Sequence, residues 1–200
     1  MRITCIYNKN DYHLRIKNES KKNLKVFQIK KILIIAGLFL FSGNLISQGR
    51  YMEVQEFLDL AFIQQPQFSS LWVDQETRDT LKEITGKDFN QLRVRYWESE
   101  DKTAWVLQEV GKEELITVGI VVYNGSIQEV RVLEFKEPRG WEIRYPFFTD
   151  QYRGIDADRL ISSAVNPIHG ITGATLSVEA VNRMAKTALI LDRKVTLPNS

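Results

Sequence analysis

The chain has 200 residues, of which 44% are hydrophobic, 26% charged and 10% aromatic, a composition that excludes disordered and collagen-like proteins and favours one compact domain. The net charge of +2 is unevenly distributed, because residues 1–49 hold 9 Lys and Arg against 2 Asp and Glu. The remaining residues include 18 basic and 23 acidic ones and are therefore acidic. This excludes a nucleic-acid-binding protein, which needs a basic surface on its folded part. Cys5 is the single cysteine, and His13 and His169 are the histidines, so Cys-based zinc sites, iron–sulfur clusters, intramolecular disulfides and cysteine nucleophiles are excluded.

Residues 1–49 form a leader. Lysines between residues 21 and 31 precede an apolar run at residues 32–41, and small and polar residues follow, an order typical of a secretory signal peptide. Crossing a bilayer takes about 20 apolar residues, whereas residues 32–46 number 15 and include Ser, Gly and Asn. The pattern therefore favours a cleaved signal peptide, with an uncleaved membrane anchor as the alternative. We expect an exported protein, either periplasmic or anchored at the outer face of the cytoplasmic membrane.

Residues 50–90 are predicted to be helical. Apolar residues recur at helical spacing over residues 52–63. A second helix is expected over residues 74–84, because Asp74 is a suitable N-cap and Gly86 follows the predicted end.

From Gln91 onward the hydrophobic period changes to two, which predicts strands around residues 92–96, 104–110, 115–123 and 127–135. Asn124 and Gly125 separate the last two runs, and Asn-Gly is the preferred pair for a type I′ hairpin turn. The predicted fold class is α+β, with an antiparallel sheet, N-terminal helices and a C-terminal helix.

The segment after the sheet is irregular and rich in aromatic residues, Gly and Arg, and long loops of this kind often carry function. A turn of small residues at 170–174 then leads into a predicted helix over residues 177–191. Free amides at a helix N-terminus favour a bound anion, and Thr172, Thr175 and Ser177 add hydroxyls. This pattern fits a phosphate site, although it also fits an ordinary helix start.

The sequence Thr172-Gly173-Ala174-Thr175-Leu176-Ser177 resembles the [Ser/Thr]-Gly-Ala-Thr-x-[Ser/Thr] motif of an FMN-binding domain. That domain occurs in the G subunit of the Rnf electron-transport complex and the C subunit of the sodium-pumping NADH:quinone reductase. The resemblance covers roughly residues 91–192 and implies an FMN-binding domain over residues 91–194. A hairpin, a Glu-x-x-Gly segment at 137–140 and a Gln-aromatic-x-Gly segment at 151–154 occur there in the family's order.

The resemblance implies that FMN is joined by a phosphoester to Thr175, installed by a flavin transferase with FAD as donor. It also implies a cofactor site that includes Glu137 near the polar edge of the flavin ring, with Trp141, Phe147 or Tyr152 as a flat contact. The protein would bind the flavin, and the redox chemistry would belong to the cofactor. The implied site consists of Glu137, His169, Gly170, Thr172, Gly173, Ala174, Thr175, Leu176 and Ser177.

His169 departs from the family pattern, which usually has Asp three residues before the Thr-Gly-Ala-Thr core. If the transferase reads that carboxylate, attachment at Thr175 is impaired. Two functions follow. The first is an exported electron carrier that exchanges electrons with membrane or periplasmic redox partners, rather than a stand-alone catalyst. The second is a scaffold module in an envelope redox complex that is flavin-free or holds FMN non-covalently.

Overall fold

The computed structural model describes residues 49–161 and 167–197. The described residues belong to one compact unit, to which the segment predicted as helical, residues 50–90, contributes two helices and a strand. The predicted leader lies almost wholly outside the described residues. Among those described, no helix combines the length and hydropathy that a membrane crossing requires.

The described chain forms an antiparallel sheet of five strands arranged in sequence order. Two helices accompany its first strand, and short helices and one long helix follow its last. In chain order the elements are α1 (Val54–Ala61), β1 (Gln67–Trp72), α2 (Gln75–Thr85), β2 (Arg93–Ser99), β3 (Lys102–Val110), β4 (Leu115–Tyr123), β5 (Ser126–Glu134), α3 (Pro146–Thr149), α4 (Ala157–Ile161) and α5 (Thr175–Thr196), with 3₁₀ turns at Trp141–Arg144 and Asp150–Tyr152. The α+β prediction is confirmed.

Helices cover both faces of the sheet. The long helix α5 packs against β3 and β4 on one face, where most of the core lies, while α1 packs against β3, β4 and β5 on the other. The Phe57 ring of α1 lies directly over Gly119 of β4, where a Cβ atom would come within 2.7 Å of the ring. Strand β4 is therefore buried on both faces, which explains its nearly continuous apolar sequence.

The local predictions for α2 and the hairpin are confirmed. Asp74 is the N-cap of α2 and accepts a 2.8 Å hydrogen bond from the Thr77 amide, and Gly86 ends the helix in the left-handed region at φ 73°. Asn124 and Gly125 both have positive φ, at 48° and 73°, as a type I′ turn requires.

Two elements differ from the prediction. The sequence pattern does not predict strand β1, because its residues include adjacent serines. In the structure neither face of β1 is fully buried, which is typical of an edge strand, and β1 pairs only with β2 among the described strands. The C-terminal helix spans Thr175–Thr196 rather than residues 177–191. Its extra turn continues because Leu191 and Asp192 remain buried against the sheet.

The aromatic loop after β5 folds back onto the sheet. Its Tyr152 is fully buried and donates a 2.5 Å hydrogen bond to Asn182 of α5. Gly154 donates its amide to Ile127 of β5 at 2.8 Å, and Ile127 donates in turn to Ile155 at 2.9 Å. The Gln-aromatic-x-Gly segment thus joins the start of β5 to the long helix.

Candidate functional site

A tight turn leads directly into α5. Gly173 has φ 83°, a left-handed conformation that favours glycine, and the Ala174 amide donates to the Ile171 carbonyl at 3.0 Å. Ala174 occupies the N-cap, where its methyl group cannot cap the helix, and no side chain of the described residues does so. The first amides of α5 therefore remain free to bind an anion, at the positive end of the helix dipole.

Two hydroxyls of the first helical turn point in different directions. Thr175, the first residue of α5, is exposed, and its hydroxyl has no hydrogen-bond partner among the described residues. Ser177 is only 3% exposed and donates to Glu137 Oε2 at 3.4 Å. Thr175 is thus the hydroxyl available for chemistry, whereas Ser177 holds the helix start to the chain after β5.

The carboxylate of Glu137 binds the β3–β4 turn. Its Oε1 accepts backbone hydrogen bonds from Lys112, Glu113 and Glu114 at 2.5, 3.0 and 3.3 Å. Gly111 allows this approach, because a Cβ atom there would lie 2.7 Å from the same oxygen. Glu137 therefore joins this turn to α5, and its expected position at the polar edge of the flavin ring stays a prediction.

These parts surround a cavity of about 340 Å³, at the lower end of the range for small-molecule sites, about 300–1,000 Å³. The turn before β4 forms one wall, the chain after β5 a second, and the start of α5 a third. Its lining residues are Lys112, Glu113, Glu137, Pro138, Arg139, Gly173, Ala174, Thr175, Leu176 and Ser177.

Gly140 lies against the start of α5. It has φ 86°, and a Cβ atom there would lie 3.0 Å from Ser177 Oγ and 3.2 Å from Ala174 Cβ. The glycine of the Glu-x-x-Gly segment is thus required both by its left-handed backbone and by its close approach to α5.

Residues 111–190 match the family model of the FMN-binding domain. The chain contains an FMN-binding domain. No curated protein matches the sequence. The matched residues begin at the Gly111 turn and include the whole lining of the cavity, and the family match gives FMN as the cofactor.

The residues at the cavity of the FMN-binding domain fit this cofactor. An exposed hydroxyl at Thr175 and the uncapped helix start suit a phosphate group. Lys112, which pairs with Glu113 at 3.1 Å, and Arg139 are the basic residues of the lining, and Pro138 and Leu176 offer apolar surface. Phosphate, ribityl chain and part of the ring each find suitable chemistry in the lining.

Six of the predicted site residues line this cavity, namely Glu137, Gly173, Ala174, Thr175, Leu176 and Ser177. Thr172, His169 and Gly170 do not, and all three are exposed. The backbone of His169 is bound by Gln151, which accepts from its amide at 2.7 Å and donates to its carbonyl at 3.4 Å. Their roles at the flavin remain predictions.

The aromatic residues expected to contact the ring lie elsewhere. Tyr152 is fully buried against the long helix, so its ring cannot stack on a cofactor. Trp141 and Phe147 are 41% and 62% exposed and do not line the cavity of the FMN-binding domain. They belong to a separate surface cluster around Arg144.

Lys112 and Arg139 were not identified from the sequence. Lys112 lies in a charged hairpin turn, a pattern typical of a solvated loop, and nothing local to it indicates a ligand. Arg139 lies within the Glu-x-x-Gly segment at 137–140, but the family pattern leaves that position variable. Only the folding of both segments against α5 places these cations at one cavity.

Proposed function

We propose that this protein is an exported electron carrier whose FMN is attached by a phosphoester to Thr175. The observation that carries the proposal is the exposed, unpartnered hydroxyl of Thr175 at the uncapped start of α5, inside the cavity of the FMN-binding domain. FMN supplies the redox chemistry, and the protein binds and orients it.

Attachment requires one substitution at phosphorus. The Thr175 hydroxyl oxygen forms a bond to the flavin-side phosphorus of FAD, the pyrophosphate bond breaks, AMP leaves, and the hydroxyl proton passes to solvent. A flavin transferase catalyses this step, so the protein needs only to present the hydroxyl. The resulting phosphodiester carries one negative charge, which the free amides of α5 and the side chains of Lys112 and Arg139 stabilise.

The remaining residues of the cavity position the cofactor. Leu176 is 47% exposed beside the attachment point, and with Pro138 it provides apolar contact for the ring. Glu137 and Ser177 hold the walls of the cavity together, and both also line it. We expect a membrane or periplasmic redox protein to exchange electrons with the flavin, whose cavity opens at the surface.

Substitution of Thr175 tests the attachment. Thr175→Ala should abolish covalent flavin, because no oxygen nucleophile remains, while Thr175→Ser should retain part of it. Thr172→Ala is the matched control, since this second exposed threonine of the motif does not line the cavity, and it should stay flavinylated. Each protein is produced with the transferase and assayed by in-gel flavin fluorescence after denaturation and by intact mass, because only ester-linked flavin survives denaturation.

The pattern of labelling distinguishes the alternatives. Covalent flavin that persists in Thr175→Ala but is lost from Thr172→Ala would contradict the assignment. Flavin that is released from the wild-type protein on denaturation would favour the non-covalent scaffold module. His169→Asp tests the departure from the family pattern, and an increase in the flavinylated fraction is expected if the transferase reads a carboxylate at this position.

A further inference from the structure

An arginine–aromatic patch lies where the described chain begins. It consists of Tyr51, Trp141, Arg144, Tyr145 and Phe147. The rings are 41%, 41%, 38% and 62% exposed, in that order. The guanidinium carbon of Arg144 lies 4.4, 5.4 and 4.9 Å from the centroids of the Tyr51, Trp141 and Tyr145 rings, respectively. None of these residues lines the FMN cavity.

Arg144 is a cation without an acidic partner. Its side chain donates to the Tyr145 hydroxyl at 3.0 Å, and no carboxylate of the described residues forms an ion pair with it. Its Nε is buried and has no hydrogen-bond partner there. This guanidinium, which no described carboxylate neutralises and which aromatic rings surround, suits an anionic partner.

The rings around Arg144 favour one kind of surface. Tyr and Trp concentrate at the headgroup level of membranes, because their rings are apolar while the hydroxyl and indole N–H are polar. An arginine beside them can bind a lipid phosphate through its forked donors. The patch thus combines the two groups that an interfacial contact with phospholipid uses.

Chain length connects this surface to the leader. Only four residues lie between Tyr51 and Ile46, the last apolar residue of the leader, and the five steps from Ile46 to Tyr51 span at most about 18 Å when fully extended. If the leader stays in a bilayer as far as Ile46, Tyr51 cannot lie farther than about 18 Å from the membrane surface.

We propose that the arginine–aromatic patch contacts the outer leaflet of the membrane in which the retained leader is anchored. Arg144 binds lipid phosphates, and the Tyr51, Trp141, Tyr145 and Phe147 rings lie at the headgroup level. The contact orients the FMN-binding domain on the membrane. This inference rests on the proposed export of the chain and on the uncleaved membrane anchor, the alternative to a cleaved signal peptide, and it is independent of the mode of flavin attachment.

Depth-dependent fluorescence quenching tests the contact. The full-length chain, with Cys5→Ser and Phe147→Cys, carries an environment-sensitive fluorophore at residue 147 and is reconstituted into phosphatidylcholine–phosphatidylglycerol vesicles that contain a lipid quencher. Ile63→Cys is the matched control, because Ile63 is also apolar and 104% exposed. Ile63 lies two residues after Ala61, whose carbonyl accepts a hydrogen bond from Lys102 at the start of β3. Tyr51 of the patch bonds instead to Leu133, near the end of β5 and at the other end of the sheet.

Quenching at residue 147 should exceed that at residue 63 several-fold, and Arg144→Glu should reduce it toward the control value. Equal quenching at both positions, or protein that does not float with the vesicles, would overturn the proposal. In-gel flavin fluorescence is measured on the same samples. Selective quenching without covalent flavin would reject the proposed attachment while the membrane contact stands.

Discussion

At the scale of single residues, Glu137 connects segments that are distant in sequence. Its two carboxylate oxygens accept from the turn at residues 112–114 and from Ser177 of α5. Three consecutive amides directed at one oxygen form an anion-binding concavity. In this protein the concavity binds the carboxylate of Glu137, which thereby holds two walls of the FMN cavity together.

Replacement of Glu137 should therefore lower stability. Glu137→Ala leaves the amides of residues 112–114 without their acceptor, and we expect a loss of about 1–3 kcal/mol in the free energy of unfolding. Glu113→Ala is the control, because the Glu113 carboxylate is exposed and pairs only with Lys112 on the same turn. The control should change stability by less than about 0.5 kcal/mol. Urea unfolding of both variants provides the comparison, and similar losses would show that Glu137 does not link the segments.

At the scale of elements, the β4–β5 hairpin is determined by its turn. Asn124 and Gly125 both have positive φ, a combination that matches the twist of the flanking strands. The aromatic segment after β5 depends on this hairpin, because Gly154 and Ile155 bond to Ile127, next to the turn. A change in the turn therefore affects β5, the strand to which the Gln-aromatic-x-Gly segment at residues 151–154 is bound.

Gly125→Val should destabilise the protein by about 1–2 kcal/mol, because a β-branched residue resists the left-handed conformation. No atom lies within 4 Å of the position that a Cβ atom would take at Gly125. The expected loss of stability therefore comes from the backbone conformation alone. Gly170→Val is the control, since Gly170 also has open surroundings but no positive φ. Thermal unfolding measures the difference, and an equal midpoint for Gly125→Val and the wild type would contradict the type I′ assignment.

At the scale of the whole molecule, a buried polar contact joins the long helix to the sheet. Asp192 of α5 is 2% exposed and accepts a 2.6 Å hydrogen bond from the Thr103 hydroxyl, to which the Trp105 indole donates at 2.9 Å. Burial raises the pKa of the Asp192 carboxyl, while the hydrogen bond from Thr103 acts in the opposite direction. Thr103 and Asp192 are 89 residues apart in sequence.

This contact predicts a pH-dependent difference in stability. Because the pKa of Asp192 is higher in the folded state, the folded protein holds this proton more tightly, and the contribution of Asp192 to stability falls as pH rises through the raised pKa. Asp192→Asn removes the titration and keeps an acceptor for Thr103. The stability of the variant relative to the wild type should therefore increase between pH 4 and pH 7, as measured by urea unfolding. A relative stability that decreases over this range would contradict the raised pKa.

The sequence by itself determined the features that depend on local backbone energetics. The capping of α2 by Asp74 and Gly86 follows from residues within one or two turns of the helix, as does the Asn124-Gly125 turn from its two central residues. The alternation of β2–β5 also predicted the antiparallel sheet. The motif at Thr172–Ser177 indicated the FMN-binding domain, because its glycine and hydroxyls lie together in the chain.

Only the tertiary structure decided which side chains reach the cofactor cavity. Glu137 turned inward because the amides at residues 112–114 offered a buried carboxylate three donors, and Tyr152 was buried by its contact with α5. Lys112 and Arg139 approach Thr175 through chain segments that are far apart in sequence. Strand β1 became a strand by pairing with β2 rather than through a pattern of its own. Contacts between distant segments depend on how the whole chain packs, and no local pattern of residues encodes that packing.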